Sequence, residues 1–388
     1  MSILFIPILL LILFLVEQAV FPRFWNKGLS SQLTFQSHPV VEGEKTSLTE
    51  EISNRSWFPL PILQVNFKLG RGLFILNTSN VTVSDKTNMT ELFSLRPWQK
   101  ITRTLSLECK KRGYYQITEN SLIAGDLFTG NTCYMQEEQN SELYVYPKMI
   151  DKEAMDVPFS YLMGEVRSRT MLYEDVFAFR GIRDYAPQDP MGKINWKASA
   201  RTGELKVNLR EYTSGQKVVI LLNVEEPLIY FPEVILEESI RYALTLSSQL
   251  LDQQIPVGIL SNGRDAITGG ILQIEGGSSS SHLTTICEGL SRIDLTQKAE
   301  DFKTLIQNEL FHGEEEMAAS EGMTKGQDLV TYVLISSSRQ DSVLETAKKI
   351  SFLQQGLLWI CPVTYDMDQT RYGKEYGIEM QLPIVHKN

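Results

Sequence analysis

Residues 3–16, ILFIPILLLILFLV, form an unbroken apolar run, and Ala19, Val20, Phe21, Phe24 and Trp25 prolong it past Glu17 and Gln18. About 20 apolar residues are needed to cross the hydrocarbon of a bilayer. The stretch from Met1 to Trp25 reaches that length with Glu17 and Gln18 near an interface and Trp25 in the aromatic belt. The pattern predicts one transmembrane anchor within residues 1–28. A cleaved signal peptide would carry a basic start and a small-x-small cleavage site, and neither is evident. Arg23 and Lys27 follow the run while no Lys or Arg precedes it. The positive-inside bias then predicts a single-pass protein of the cell membrane with its body in the cytoplasm.

From Leu33 to Tyr146 short alternating segments are separated by turns: LTFQ, KTSLTEEISN, LPILQVNFKL, NVTVS, ITRTLSLEC, GYYQITENSLIAG and ELYVYP. Period-two alternation in short runs predicts an antiparallel β-sandwich over residues 29–149. Residues 150–180 carry few strand signals and mixed charge, which predicts a connector. The pattern changes at Gln216. KVVILLNV is a continuous apolar strand of the parallel-sheet type. VILEESIRYALTLSSQLLDQ has apolar residues three and four apart and predicts a helix. IPVGIL, ILQIE, LVTYVLISS and GLLWICPV predict further strands, and HLTTICEGLSRI, AEDFKTLIQNELF and DSVLETAKKISFLQQG further helices. The stretch 312–327 reads as a surface loop. The expected fold class is thus α/β plus all-β: a transmembrane helix, a sandwich, a connector over 150–215, and a doubly wound α/β domain over 216–388.

Composition narrows function only slightly. Apolar residues make up 43% and charged residues 22%, a globular balance without global disorder. The net charge of −10 argues against a general nucleic-acid binder, because phosphate neutralisation needs clustered Lys and Arg. Cys109, Cys133, Cys287 and Cys361 are scattered without a C-x-x-C pair, which predicts free packed thiols.

The most distinctive stretch is Phe179 to Leu209, FRGIRDYAPQDPMGKINWKASARTGELKVNL. Its residues Arg180, Arg183, Tyr185, Asp189, Ile194, Trp196, Ser199, Ala200 and Arg201, with Glu174 upstream, resemble the signature of domain of unknown function family 58. Arg112-Gly113-Tyr114, Asp126-Leu127-Phe128 and LYVYP resemble that family's sandwich module. Gln188 stands where the family has a turn glycine. Read without the family, Arg180, Arg183 and Arg201 are planar donors able to fork onto Asp184, Asp189 and Glu204, and Trp196 offers a large body for packing on a sheet. Three readings stay open: a structural staple, a docking patch for an acidic partner, or a patch for anionic lipid headgroups.

The resemblance implies a von Willebrand factor A-like domain. Where an intact metal-ion-dependent adhesion site has Asp-x-Ser-x-Ser, this chain has Asn223, Glu225 and Pro227, and the later strand reads Ser336-Ser337-Ser338, with Asp341 slightly beyond. A degenerate, metal-free site with no cofactor is expected at Asn223 and Glu225. There is no G-x-S-x-G elbow, Walker lysine, G-x-G-x-x-G or H-E-x-x-H, and only His38, His282, His312 and His386 exist to act as a base. The Ser278–Ser281 run before His282 reads as a helix entry with Ser281 as cap. The expected function is a membrane-anchored, non-catalytic adaptor. The resemblance implies a MoxR-type AAA+ ATPase as partner, besides the bilayer. An outward-facing, metal-dependent adhesion domain and an unrecognised hydrolase are the alternatives.

Overall fold

The computed structural model of the 388-residue chain describes all residues except 1, 37–38, 77–80, 84–86, 129, 173, 187–190, 213–216, 226–232, 312–329, 355, 366, 368 and 386–388. Backbone alone is described at 2–10, 13, 81–83, 87, 168–172, 174–180, 193, 209–212 and 310–311. The chain divides into two compact units, residues 1–148 with Leu290–Arg292, and Met149–Gly289 with Ile293–Asn388.

The first unit opens with helix α1 (Ser2–Phe24) and continues as strands β1 (Leu29–Phe35), β2 (Val40–Val41), β3 (Lys45–Asn54), β4 (Leu60–Leu69), β5 (Leu73–Ile75), β6 (Val81–Val83), β7 (Thr87–Leu95), β8 (Lys100–Cys109), β9 (Gly113–Gly125) and β10 (Thr132–Tyr146). They form two sheets, in the orders β1-β3-β8-β5 and β2-β10-β9-β4-β7-β6. Alternation along each strand turns one set of side chains inward. In β3 these are Thr46, Leu48, Glu50, Ile52 and Asn54. Leu48, Ile52, Leu63, Val65, Met89, Leu105 and Leu107 from the two sheets share one core. The edge of β1 is closed by side chains of β10 rather than by backbone. Glu137, Gln139 and Ser141 accept the N–H groups of Ser31, Leu33 and Phe35 at 2.7, 2.9 and 2.9 Å, so the edge has no unpaired row of these donors to offer another chain.

The N-terminal helix corrects the expected anchor. Among the described residues, no helix is long and apolar enough to cross a membrane. The carboxyl-terminal half of α1 is instead a sandwich element. Phe21 and Trp25 are buried in the sandwich core, and Phe21 meets Phe58 edge-on. The Glu17 carboxylate accepts the Leu127 N–H at 2.8 Å, and the Gln18 amide donates to the Asp126 carboxylate at 3.2 Å. The polar pair inside the apolar run therefore faces a protein loop, and Trp25 is a core residue, not an aromatic belt. This finding contradicts the transmembrane element of the expected fold class, the single-pass membrane localisation with a cytoplasmic body, and the bilayer as partner through this helix.

The second unit begins with α2 (Lys152–Leu172), a 21-residue helix where the sequence predicts a connector. It buries Met155, Leu162 and Val166 along one stripe. Next come β11 (Glu174–Asp184), α3 (Trp196–Thr202) and β12 (Lys206–Tyr212), with β11 and β12 paired antiparallel. The main sheet comprises β13 (Lys217–Asn223), β14 (Val257–Asp265), β15 (Ile271–Gly277), β16 (Ile293–Asp294), β17 (Val330–Ser336), β18 (Leu357–Ile360) and β19 (Ile378–Gln381). Its order is β15-β14-β13-β17-β18-β19, with β16 on β14. β14, β13, β17, β18 and β19 run parallel, and β15 is antiparallel. Helices α4 (Glu233–Asp252), α5 (His282–Arg292), α6 (Phe302–Ile306) and α7 (Asp341–Gln354) connect the strands. The predicted third helix is a short α6 running into a π turn, Gln307–Phe311. Trp359, fully buried, anchors a core shared by Leu221, Leu334, Ile350 and Phe302.

Candidate interaction surface and the polar crevice

The ribbon of β11 and β12 carries the distinctive segment. Its register places Arg183 opposite Val207 and Asp184 opposite Lys206. Helix α3 is fixed at both ends. The Asn195 side-chain oxygen accepts the Ala198 N–H at 2.9 Å, and Gly203, left-handed at φ 73°, donates its N–H to the Ser199 carbonyl. The other Asn195 group donates to the Asn208 side chain at 2.6 Å, tying the cap to β12. The Ser199 hydroxyl donates to the Asn195 carbonyl and accepts the Lys206 N–H, both at 2.8 Å. Ser199, one of the distinctive residues, is thus buried and structural.

This framework holds Trp196 at the first turn of α3 with 65% of its surface exposed. Trp196 does not pack on the sheet as the sequence predicts. Ile194 and Val207 take that place, both buried and bridged to each other. Met191, Ile182 and Leu205 are also exposed in this segment. In this segment Lys206 pairs with both Asp184 and Glu204, and Arg183 donates to the Asp184 carbonyl at 2.9 Å. The Asp184 hydrogen bond is the main cause that raises the Lys206 ammonium above its ordinary range. Tyr185 donates its N–H to the Leu205 carbonyl at 2.9 Å, and Arg201 is exposed beside Lys197. The Arg180 side chain and Asp189 lie outside the described residues.

A second cluster sits at the carboxyl ends of the parallel strands. From β13 the chain passes through α4 to β14 on one side, whereas β17 lies on the other and leads through α7 to β18. The crevice between β13 and β17 is therefore a topological switch point, where open α/β sheets bind ligands. Asn223 and Asn262, both buried, fill it with a closed network. Asn223 donates to the Ser336 hydroxyl at 3.0 Å and accepts from Glu225 N and Asn262 Nδ2, both at 2.9 Å. Asn262 in turn accepts the Val224 N–H at 2.9 Å and donates to the Glu300 carbonyl at 2.9 Å. Glu225 faces Asp301, and burial first, then that like charge, push its carboxyl above the usual range. Among the described residues no three His, Cys, Asp or Glu side chains gather to hold a metal. Pro227 lies outside the described residues.

Other candidate groups are placed apart. His282 Nε2 lies 2.7 Å from the Val257 carbonyl. Ser281 occupies the cap position of α5 without a side-chain capping bond, so it is not the cap the sequence predicts. His38, His312 and His386 lie outside the described residues. All four cysteines are free, and burial pushes the Cys109, Cys287 and Cys361 thiols up to about 11, far from nucleophilic thiolates at neutral pH.

No family model matches the chain, and no curated protein does. Among solved structures, it is similar to domains D2 and D3 of the major pilin SpaD from Corynebacterium diphtheriae, at 14% identity and a TM-score of 0.21, over 28% of this chain and 49% of that one. A non-cellulosomal cohesin from the archaeon Archaeoglobus fulgidus matches at 9% identity and a TM-score of 0.22, over 32% of this chain and 94% of the cohesin. The match spans about half the length of the first pilin structure. Likeness at this level carries no argument about fold or function. The expected family, domain of unknown function 58 with its von Willebrand A-like domain, thus has no family match behind it. The AAA+ ATPase partner rests on that resemblance alone.

Proposed function

We propose that this is a non-catalytic interaction protein whose second unit captures an acidic protein partner on the segment around Trp196. The observation that carries the reading is the exposure of Trp196, at 65%, on a helix whose two caps and Ser199 bonds leave it little freedom. A large aromatic held outward on a rigid element suits binding energy concentrated in a few anchors, because its surface is desolvated on contact without a large ordering cost. Lys197 and Arg201 follow it on the same short helix, so electrostatics favour an acidic counterpart. The crevice at Asn223 supports the same reading from the other side: its amides are spent on one another and on Ser336, stiffening the carboxyl ends of the sheet.

The test places a photo-crosslinking amino acid at position 196 of the full chain in cells, with position 352 as control, since Phe352 is also highly exposed. A discrete adduct at 196 that is absent at 352 and lost on charge reversal of Lys197 and Arg201 to Glu is expected. Equal labelling at both positions, or indifference to the reversal, contradicts the reading.

A further inference from the structure

The sandwich interior contains a charge imbalance. Glu50 points inward from β3, 1% exposed, between Leu48 and Ile52, and neither carboxyl oxygen has a hydrogen-bond partner. Its register partners are Leu33 on β1 and Arg103 on β8. Arg103 is already paired with Glu91, a second buried carboxylate, on β7 of the opposite sheet. One guanidinium thus stands against two carboxyls. The remaining charged groups of these strands do not relieve Glu50: Glu51 pairs with Lys100 at 2.9 Å, Glu108 pairs with Lys110 at 3.9 Å, Lys45 is exposed, and the half-buried Glu137 of β10 is engaged by the Ser31 N–H at 2.7 Å. An unpaired carboxylate cannot be kept in such surroundings without a large desolvation cost, whereas a neutral carboxylic acid can.

We propose that the sandwich is a proton-operated latch, in which Glu50 holds a proton while the two sheets are closed on it and loss of that proton loosens β3 and β8. The closed unit then binds up to one more proton than the opened one below neutral pH, and the stability this gives is lost as pH rises, so rising pH opens it. Burial pushes the Glu50 carboxyl up to about 7 from an ordinary 4.5, with Arg103 acting in the opposite direction. The latch is independent of the partner reading for Trp196, which concerns the other unit.

Peptide-resolved hydrogen exchange on the full chain tests it, with rates corrected for the intrinsic pH dependence of amide exchange. Protection of the 45–54 and 100–109 peptides should fall roughly ten-fold between pH 6 and pH 8.5, the change that a shift of this size implies over that interval. Glu50→Gln, which mimics the protonated side chain, should remove the fall. Glu91→Gln frees Arg103 for Glu50 and should move the fall to lower pH, which keeps the test open if Glu50→Gln does not fold. Glu137→Gln should leave the fall in place. Protection that is flat with pH in the natural chain, or a fall that survives Glu50→Gln, overturns the proposal, as does a profile unmoved by Glu91→Gln.

Discussion

The two units bury polar groups in opposite ways. The switch point of the parallel sheet holds amides and hydroxyls, Asn223, Asn262 and Ser336, bonded to one another. The sandwich holds titratable groups, the buried Glu50 and Glu91 beside a half-buried Arg103, in a ratio that leaves one carboxyl unmatched. A neutral closed network is indifferent to pH and rigid, because every member is satisfied by a neighbour that does not titrate. A charged and unbalanced cluster makes folding depend on proton activity. Asp126, also fully buried in the sandwich unit, accepts the N–H groups of Gly130 and Asn131 at 2.8 and 2.9 Å and so has the donors that Glu50 lacks.

The largest expected effects come from the two cores. Trp359→Ala should cost about 3–5 kcal/mol in the second unit, since it empties a fully buried site and orphans the Ser336 carbonyl that the indole N–H reaches at 2.9 Å. Phe21→Ala should cost the sandwich about 3 kcal/mol, because Phe21 is fully buried there. Urea unfolding followed separately in the two units checks both. An unchanged sandwich after Phe21→Ala would detach α1 from that core and break the comparison at its first element.

Glu50 comes next. Its carboxyl is raised in the folded chain, so its contribution is fully present below the ordinary 4.5 and is lost as pH climbs through about 7. The whole swing amounts to about 3 kcal/mol. Asn262→Ala should cost about 1–3 kcal/mol by leaving the Asn223 oxygen and the Val224 N–H short of partners. Unlike the Glu50 contribution, that cost should be the same at pH 6 and pH 8.5. The smallest effect on stability should be that of Trp196→Ala, within about 0.5 kcal/mol, since the ring is mostly exposed. Partner crosslinking should nevertheless be lost. A large destabilisation would make Trp196 a packing residue and remove the basis of the proposed function.

Much of the strand pattern could be read from sequence because burial on one face leaves a period of two. KVVILLNV is a strand, Lys217–Asn223, and the alternating LPILQVNFKL is Leu60–Leu69. The same alternation contained the latch. In KTSLTEEISN the adjacent Glu50 and Glu51 must point to opposite faces, and the parity of Leu48 and Ile52 turns Glu50 inward. Hydrophobicity taken alone misleads where an apolar stretch meets protein instead of lipid. Glu17 and Gln18 were the signal, since two side chains bonded to the Asp126 loop mark a helix docked on its own unit. Helix α2 was hidden because Pro158 stands inside it, where a helix-breaking residue is not expected, and its buried stripe is sparse. Trp196 could not be assigned inside or outside from sequence, because an aromatic residue suits a core as well as an interface.

One measurement separates the two units within a single sample. The full chain is equilibrated in urea at pH 6 and at pH 8.5, moved briefly to a common pH for thiol labelling, and mapped by peptide mass. Cys109 reports the sandwich core and Cys361 the parallel-sheet core, each fully buried. The urea midpoint at Cys109 should drop between pH 6 and pH 8.5 while that at Cys361 holds. Midpoints that move together, or a Cys109 midpoint that does not move, would contradict a pH response seated in the charged sandwich interior.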